Sequence, residues 1–149
     1  MDLKILQYAL TLEYLGAAFY ESALRHARLS GEAHEIALTF RGHERAHVGF
    51  VSQVIRSLGG RPHAPEKFVF GSATRSRQAF LKTSAKIEEM CVETLNGARP
   101  PVSKPVLMGA GELVSVEARQ ASWVRTVLSV DPAPFAFNPD LTMRSRWRA

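Results

Sequence analysis

The chain has 149 residues, 46% hydrophobic and 22% charged, the balance of a soluble globular protein of one domain spanning 1–149. Its single cysteine, Cys91, excludes an internal disulfide framework and any Cys-rich zinc or iron–sulfur site, and reads as a small buried hydrophobe. The net charge of +5 gathers partly in Arg144, Arg146 and Arg148, but no interleaved aromatic platform accompanies them, so the tail reads as solvated and nucleic acid is not an expected partner. No apolar run approaches a membrane span. Met1-Asp2-Leu3-Lys4 lacks the features of a signal peptide, so the expected location is cytoplasmic.

Residues 2 to about 28 read as a first helix. Leu3, Leu6, Leu10, Glu13, Ala17, Tyr20 and Leu24 recur at spacings of three and four. Ser30-Gly31 breaks it, and so short a link predicts an antiparallel second helix over about 32–58. That helix carries Ile36, Phe40, Glu44, His47, Val51, Val54 and Leu58 on one face and stops at Gly59-Gly60. Residues 59–75 show no helical period. An extended segment of this length can span about 55 Å, longer than a helix of 27 residues at about 40 Å. It is therefore read as a crossover along the whole bundle, leaving helices two and three parallel, with Phe68, Val69 and Phe70 pinning it.

The third helix covers about 76–96, with Phe80, Ser84, Ile87, Cys91 and Leu95 inward. Glu88 borders that face, while Glu89 and Glu93 are expected towards solvent. After Asn96-Gly97 and the rigid link Arg99 to Lys104, Pro105 suits the first turn of a fourth helix over about 105–130. Its inner row is Leu113, Glu117, Gln120, Val124 and Val127, and Asp131-Pro132 stops it. In the tail 131–149, Phe135, Phe137 and Leu141 are expected to pack back on the bundle.

Each helix thus places a glutamate on or beside its inner row: Glu13, Glu44, Glu88 and Glu117. A buried carboxylate without a partner costs several kcal/mol or takes up a proton. Two divalent ions would balance four carboxylates. His47 and Gln120 lie three residues after Glu44 and Glu117, on the same helix faces. Di-metal carboxylate bundles use a Glu from each of two helices and a Glu-x-x-His from each of the other two. Tyr20, seven after Glu13, is read first as core packing and second as a hydrogen-bonding or electron-donating neighbour. His43-Glu44-Arg45-Ala46-His47 also fits the zinc-protease pattern H-E-x-x-H. The extended form of that motif needs Gly and His where Phe50 and Gln53 stand, and it leaves three glutamates unexplained. His43 is therefore read as a flank residue.

The opening Asp2 to Tyr20 (DLKILQYALTLEYLGAAFY), Glu44-Arg-Ala-His47-Val, Phe68-Val-Phe70, Ile87-Glu-Glu, Glu117-Ala-Arg-Gln120 and Pro134-Phe-Ala-Phe137 resemble, in order, the ferritin-like family typified by plant desiccation-related protein. The resemblance implies an all-α, ferritin-like four-helix bundle with a long crossover between helices two and three. It also implies a di-iron or di-manganese carboxylate site at Glu13, Glu44, His47, Glu88 and Glu117, with Gln120 where the family has His and Gly16 where it often has an acidic residue. An amide oxygen is a poorer ligand for a transition metal than imidazole, so of two ions one is expected to bind weakly. The function so implied is metal binding with oxidase or peroxide-consuming chemistry in a stress response. A non-enzymatic bundle with a degenerate site, acting as a stress or interaction protein, is the alternative. An iron-storage or DNA-protecting mini-ferritin is the third. A homo-oligomer, first of all a dimer, is the expected assembly.

Overall fold

The computed structural model describes residues 2–97 and 102–136. The described residues form four α-helices and no strand: α1 Asp2–His26, α2 Glu32–Ser57, α3 Arg77–Asn96 and α4 Lys104–Val127. A single 3-10 turn, Gly71–Thr74, interrupts the crossover. The expected all-α bundle is what forms.

The helix ends follow from local chemistry. Gly59 adopts φ +75°, and its N–H donates to the Arg56 carbonyl while the Gly60 N–H donates to that of Ile55, both at 2.9 Å. These two bonds satisfy carbonyls that the last turn of α2 would leave bare. Ser76 opens α3 by accepting from the Ala79 N–H through its hydroxyl. The fourth helix ends three residues earlier than its periodicity predicts. Ser129 turns at φ +57°, and the N–H groups of Ser129 and Val130 reach the carbonyls of Thr126 and Arg125. The chain has already left the helix before Pro132 could stop it.

The α1–α2 hairpin packs beside the α3–α4 hairpin, α1 meeting α3 and α2 meeting α4. Two apolar clusters fill the interior. One joins Phe19, Tyr20, Ile36, Phe40, Phe80, Leu81 and Val124; the other joins Leu6, Leu10, Val51, Ile55, Leu95, Val106 and Leu113. The first draws on the end of α1, the start of α2, the start of α3 and the end of α4. Helices α2 and α3 therefore start at the same end of the bundle, and the crossover must return the chain to it. It does so along α1: Gln7 donates to the Arg61 carbonyl at 2.7 Å, Tyr14 donates to that of His63, Phe70 meets the Phe19 ring edge-on, and Ser22 reaches Thr74.

Three expected placements are corrected. Phe68 and Phe70 are half-buried and stack on each other, but Val69 is 84% exposed, because side chains alternate along an extended segment. Glu93 is buried rather than solvent-facing: residues 91–95 are all buried, so this stretch of α3 turns no side to solvent. Phe135 is 61% exposed instead of packing on the bundle, and every residue of the segment 129–136 that follows α4 is likewise exposed. Phe137, Leu141 and the three terminal arginines lie outside the described residues, as does most of the link between α3 and α4.

Candidate metal centre

Between the two apolar clusters lies a layer of polar side chains: Glu13, Glu44, His47, Glu88, Glu117 and Gln120, all buried. Their positions follow from helix geometry. Antiparallel pairing of α1 and α2 sets Glu13 beside His47, while two turns further along Tyr20 meets Phe40 edge-on at 5.4 Å. The 44/47 and 117/120 pairs each span about one turn, so both members of each pair face inward. The structure thus brings all six sequence-predicted residues into one layer.

Within that layer the six fall into two groups. Glu13, Glu44, His47 and Glu117 each offer one ligand atom within 4.8 Å of the others. The Nδ1 of His47 lies 3.2 Å from Glu13 Oε2 and 2.9 Å from Glu117 Oε1, yet neither approach has the direction of a hydrogen bond. Among the described residues, seven buried side-chain polar atoms lack a hydrogen-bond partner, and five of them are in this group: Glu13 Oε2, Glu44 Oε2, His47 Nδ1 and both Glu117 oxygens. Buried polar atoms are normally paired, so this concentration needs a physical explanation. Buried polar atoms that converge without hydrogen bonds between them are the arrangement a cation satisfies. Three carboxylates and one imidazole suit a divalent transition ion.

The second group is closed by its own hydrogen bonds. Gln120 turns its amide nitrogen, not its oxygen, to the carboxylates, donating to Glu88 Oε2 at 2.8 Å and Glu44 Oε1 at 3.1 Å. Its oxygen accepts from the exposed His43 ring at 2.9 Å. Tyr20, which the sequence suggested first as core packing, donates its hydroxyl to Glu88 Oε1 and also meets the Ser84 hydroxyl at 2.7 Å. The Ser84 contact was not anticipated. Its signal was present, as a small hydroxyl residue on the inner row of α3, one turn before Glu88.

Electrostatics reflect the crowding. Burial, then the charges of Glu88 and Glu13, push the Glu44 carboxyl well above its usual range. Burial and the Glu117 charge do the same to Glu88. Glu117 rises to about 7, burial outweighing the pull of His47. Burial alone would lower the pKa of His47, but the Glu117 and Glu13 carboxylates overcome it and raise the imidazole to about 10. Without a cation the centre therefore holds protons. A divalent ion would replace them.

Gly16, where the resemblance leads one to expect acid, has a packing reason. A Cβ there would lie 2.7 Å from Glu44 Oε2, so the bare backbone of α1 makes room for that carboxylate. His43 belongs to neither zinc-protease role: its ring is directed to Gln120, its centroid 6.4 Å from that of His47, and it is not among the four convergent donors.

No described helix is long and apolar enough to cross a membrane. No curated protein matches the chain significantly. The profile of the ferritin-like domain matches residues 1–130, nearly the whole chain and all four helices that carry the centre. The chain belongs to the ferritin-like domain family.

Proposed function

We propose that this ferritin-like domain binds iron or manganese in its central layer and acts as an oxidase or peroxide-consuming protein in a stress response. The observation that supports it most directly is the convergence of four buried donors from α1, α2 and α4, with five of their atoms unpartnered. Glu13, Glu44, His47 and Glu117 would hold the ion, with Glu88 and Gln120 beside them. An ion of this kind supplies one-electron redox chemistry with dioxygen or peroxide. The chain's part is to orient the donors by helix packing and to keep the layer dry between two apolar clusters. The likeness of its motifs to desiccation-related proteins supports the stress setting. On this reading the protein works in the cytoplasm as a dimer, without nucleic acid or lipid.

A second reading is a non-enzymatic bundle with a degenerate site. It draws on Gln120, whose amide nitrogen faces two carboxylates. Peroxide consumption by the iron-loaded protein separates the two readings. Sizing in solution tests the assembly: a shell-sized particle would favour storage over either.

The test of the metal itself is loading with Fe²⁺ under anaerobic conditions, followed by elemental analysis and a melting curve. At a free concentration a hundred times Kd, binding adds about 2.7 kcal/mol, which is roughly 5–10 °C in Tm for a domain of this size. Protein that returns metal-free with an unchanged Tm would overturn the proposal.

A further inference from the structure

The two halves of the polar layer differ in what they lack. On the side of Glu13, His47 and Glu117, oxygen and nitrogen atoms face one another with no hydrogen bond between them. On the side of Glu88 each carboxylate oxygen has its own donor, Tyr20 on Oε1 and Gln120 on Oε2. Glu44 straddles the two halves. Its Oε1 accepts from Gln120, while its Oε2 is unpartnered.

The orientation of the Gln120 amide is dictated by its surroundings. Two carboxylate oxygens at 2.8 and 3.1 Å require hydrogens from it, and a flipped amide would set its oxygen against both. The other end is anchored by the His43 ring at 2.9 Å. With its –NH₂ directed between Glu44 and Glu88, the amide supplies the two carboxylates with the positive partner that a cation would otherwise provide there.

Resting on the metal-binding reading above, we propose that this chain is a one-ion protein. The ion is held by Glu13, Glu44, His47 and Glu117, and the Gln120 amide, with the Tyr20 hydroxyl, closes the position beside Glu88 to a second ion. Gln120 is thus a determinant of metal number. It is not a weak ligand to a second ion.

The experiment uses the full chain and Mn²⁺ as the probe. Wild type, Gln120→His and Gln120→Glu are equilibrated with excess Mn²⁺, freed of unbound metal, and measured for manganese per chain and for the EPR signature of the bound ion. Gln120→Glu is nearly isosteric and removes both donors, so it covers the case in which the imidazole does not fit the core. Wild type is expected to hold one ion with the spectrum of an isolated Mn²⁺. Either variant that folds is expected to reach two, with the spectrum of a coupled pair. Two ions in wild type would overturn this inference and leave the metal-binding reading standing. No ion in wild type would overturn that reading itself. One ion in wild type and in both folded variants would show that Gln120 is not what closes the second position, and would overturn its assigned role.

Discussion

Replacing Gly16 by alanine isolates the seat of Glu44. The added methyl would lie 2.7 Å from Oε2, 3.0 Å from Cδ and 3.1 Å from Cγ of that side chain, roughly 0.7 Å inside ordinary contact at the closest atom. Two effects on stability oppose each other. Alanine in a helix interior is favoured over glycine by about 0.5–1 kcal/mol. Overpacking a filled core costs about 1–3 kcal/mol. The net change is between roughly zero and 2.5 kcal/mol of destabilisation, a fall of at most about 10 °C in Tm. The effect on metal binding is larger and has one sign. Metal–ligand distances tolerate only about 0.2 Å, so a carboxylate displaced several times that far no longer ligates. Disturbing even the groups that support ligands costs tenfold to a hundredfold in affinity, so Gly16→Ala should weaken Mn²⁺ or Fe²⁺ binding by at least about tenfold. Calorimetric titration of wild type and variant, each beside a metal-free melting curve, reads both quantities. A variant with raised Tm and unchanged metal affinity would show that Glu44 does not lean on α1 in the way described, and the reasoning would fail.

The remaining expectations concern pH and packing. Glu44, Glu88 and Glu117 have raised pKa values in the folded chain, Glu117 to about 7, so the metal-free fold binds more protons than the unfolded chain above the ordinary carboxyl value of 4.5. Each contribution is therefore present at low pH and is lost as pH rises above about 4.5 through the group's raised value, which is about 7 for Glu117. His47 contributes with the same sign, its stabilisation present below its unfolded value of 6.5 and lost as pH climbs through about 10. Metal-free Tm should fall across this range while metal-loaded Tm stays flatter, and melting curves taken from pH 4.5 to 10 in the presence of chelator or of Mn²⁺ check it. Phe80→Ala should cost about 3–5 kcal/mol in chemical denaturation, since this fully buried ring stacks on Phe19 at 5.6 Å and meets Tyr20 edge-on. A loss under 1 kcal/mol would mean that this end of the bundle repacks freely.

The four helices were legible in the sequence because their apolar residues recur at helical spacing, a local property of each segment. The same regularity exposed Glu13, Glu44, His47 and Glu117, each of which interrupts an apolar row with a group that burial penalises. The crossover was legible through its length and its lack of period. Local sequence could not say how atoms orient once four helices meet. Nothing near Gln120 in the chain indicates that its nitrogen would face Glu88, thirty-two residues earlier, and Glu44, seventy-six earlier. Nor could Gly16 be read as room for a carboxylate from α2, because the close approach exists only across the α1–α2 interface. Glu93 and Phe135 show the same limit at the ends of elements, where burial depends on which neighbours remain alongside rather than on the pattern within one helix. The sequence by itself determined which side chains had to be buried, since hydrophobic periodicity selects a face. Only the tertiary structure decided which buried carboxylate oxygens receive a hydrogen and which are left facing one another, because that depends on side chains brought together from four separate helices.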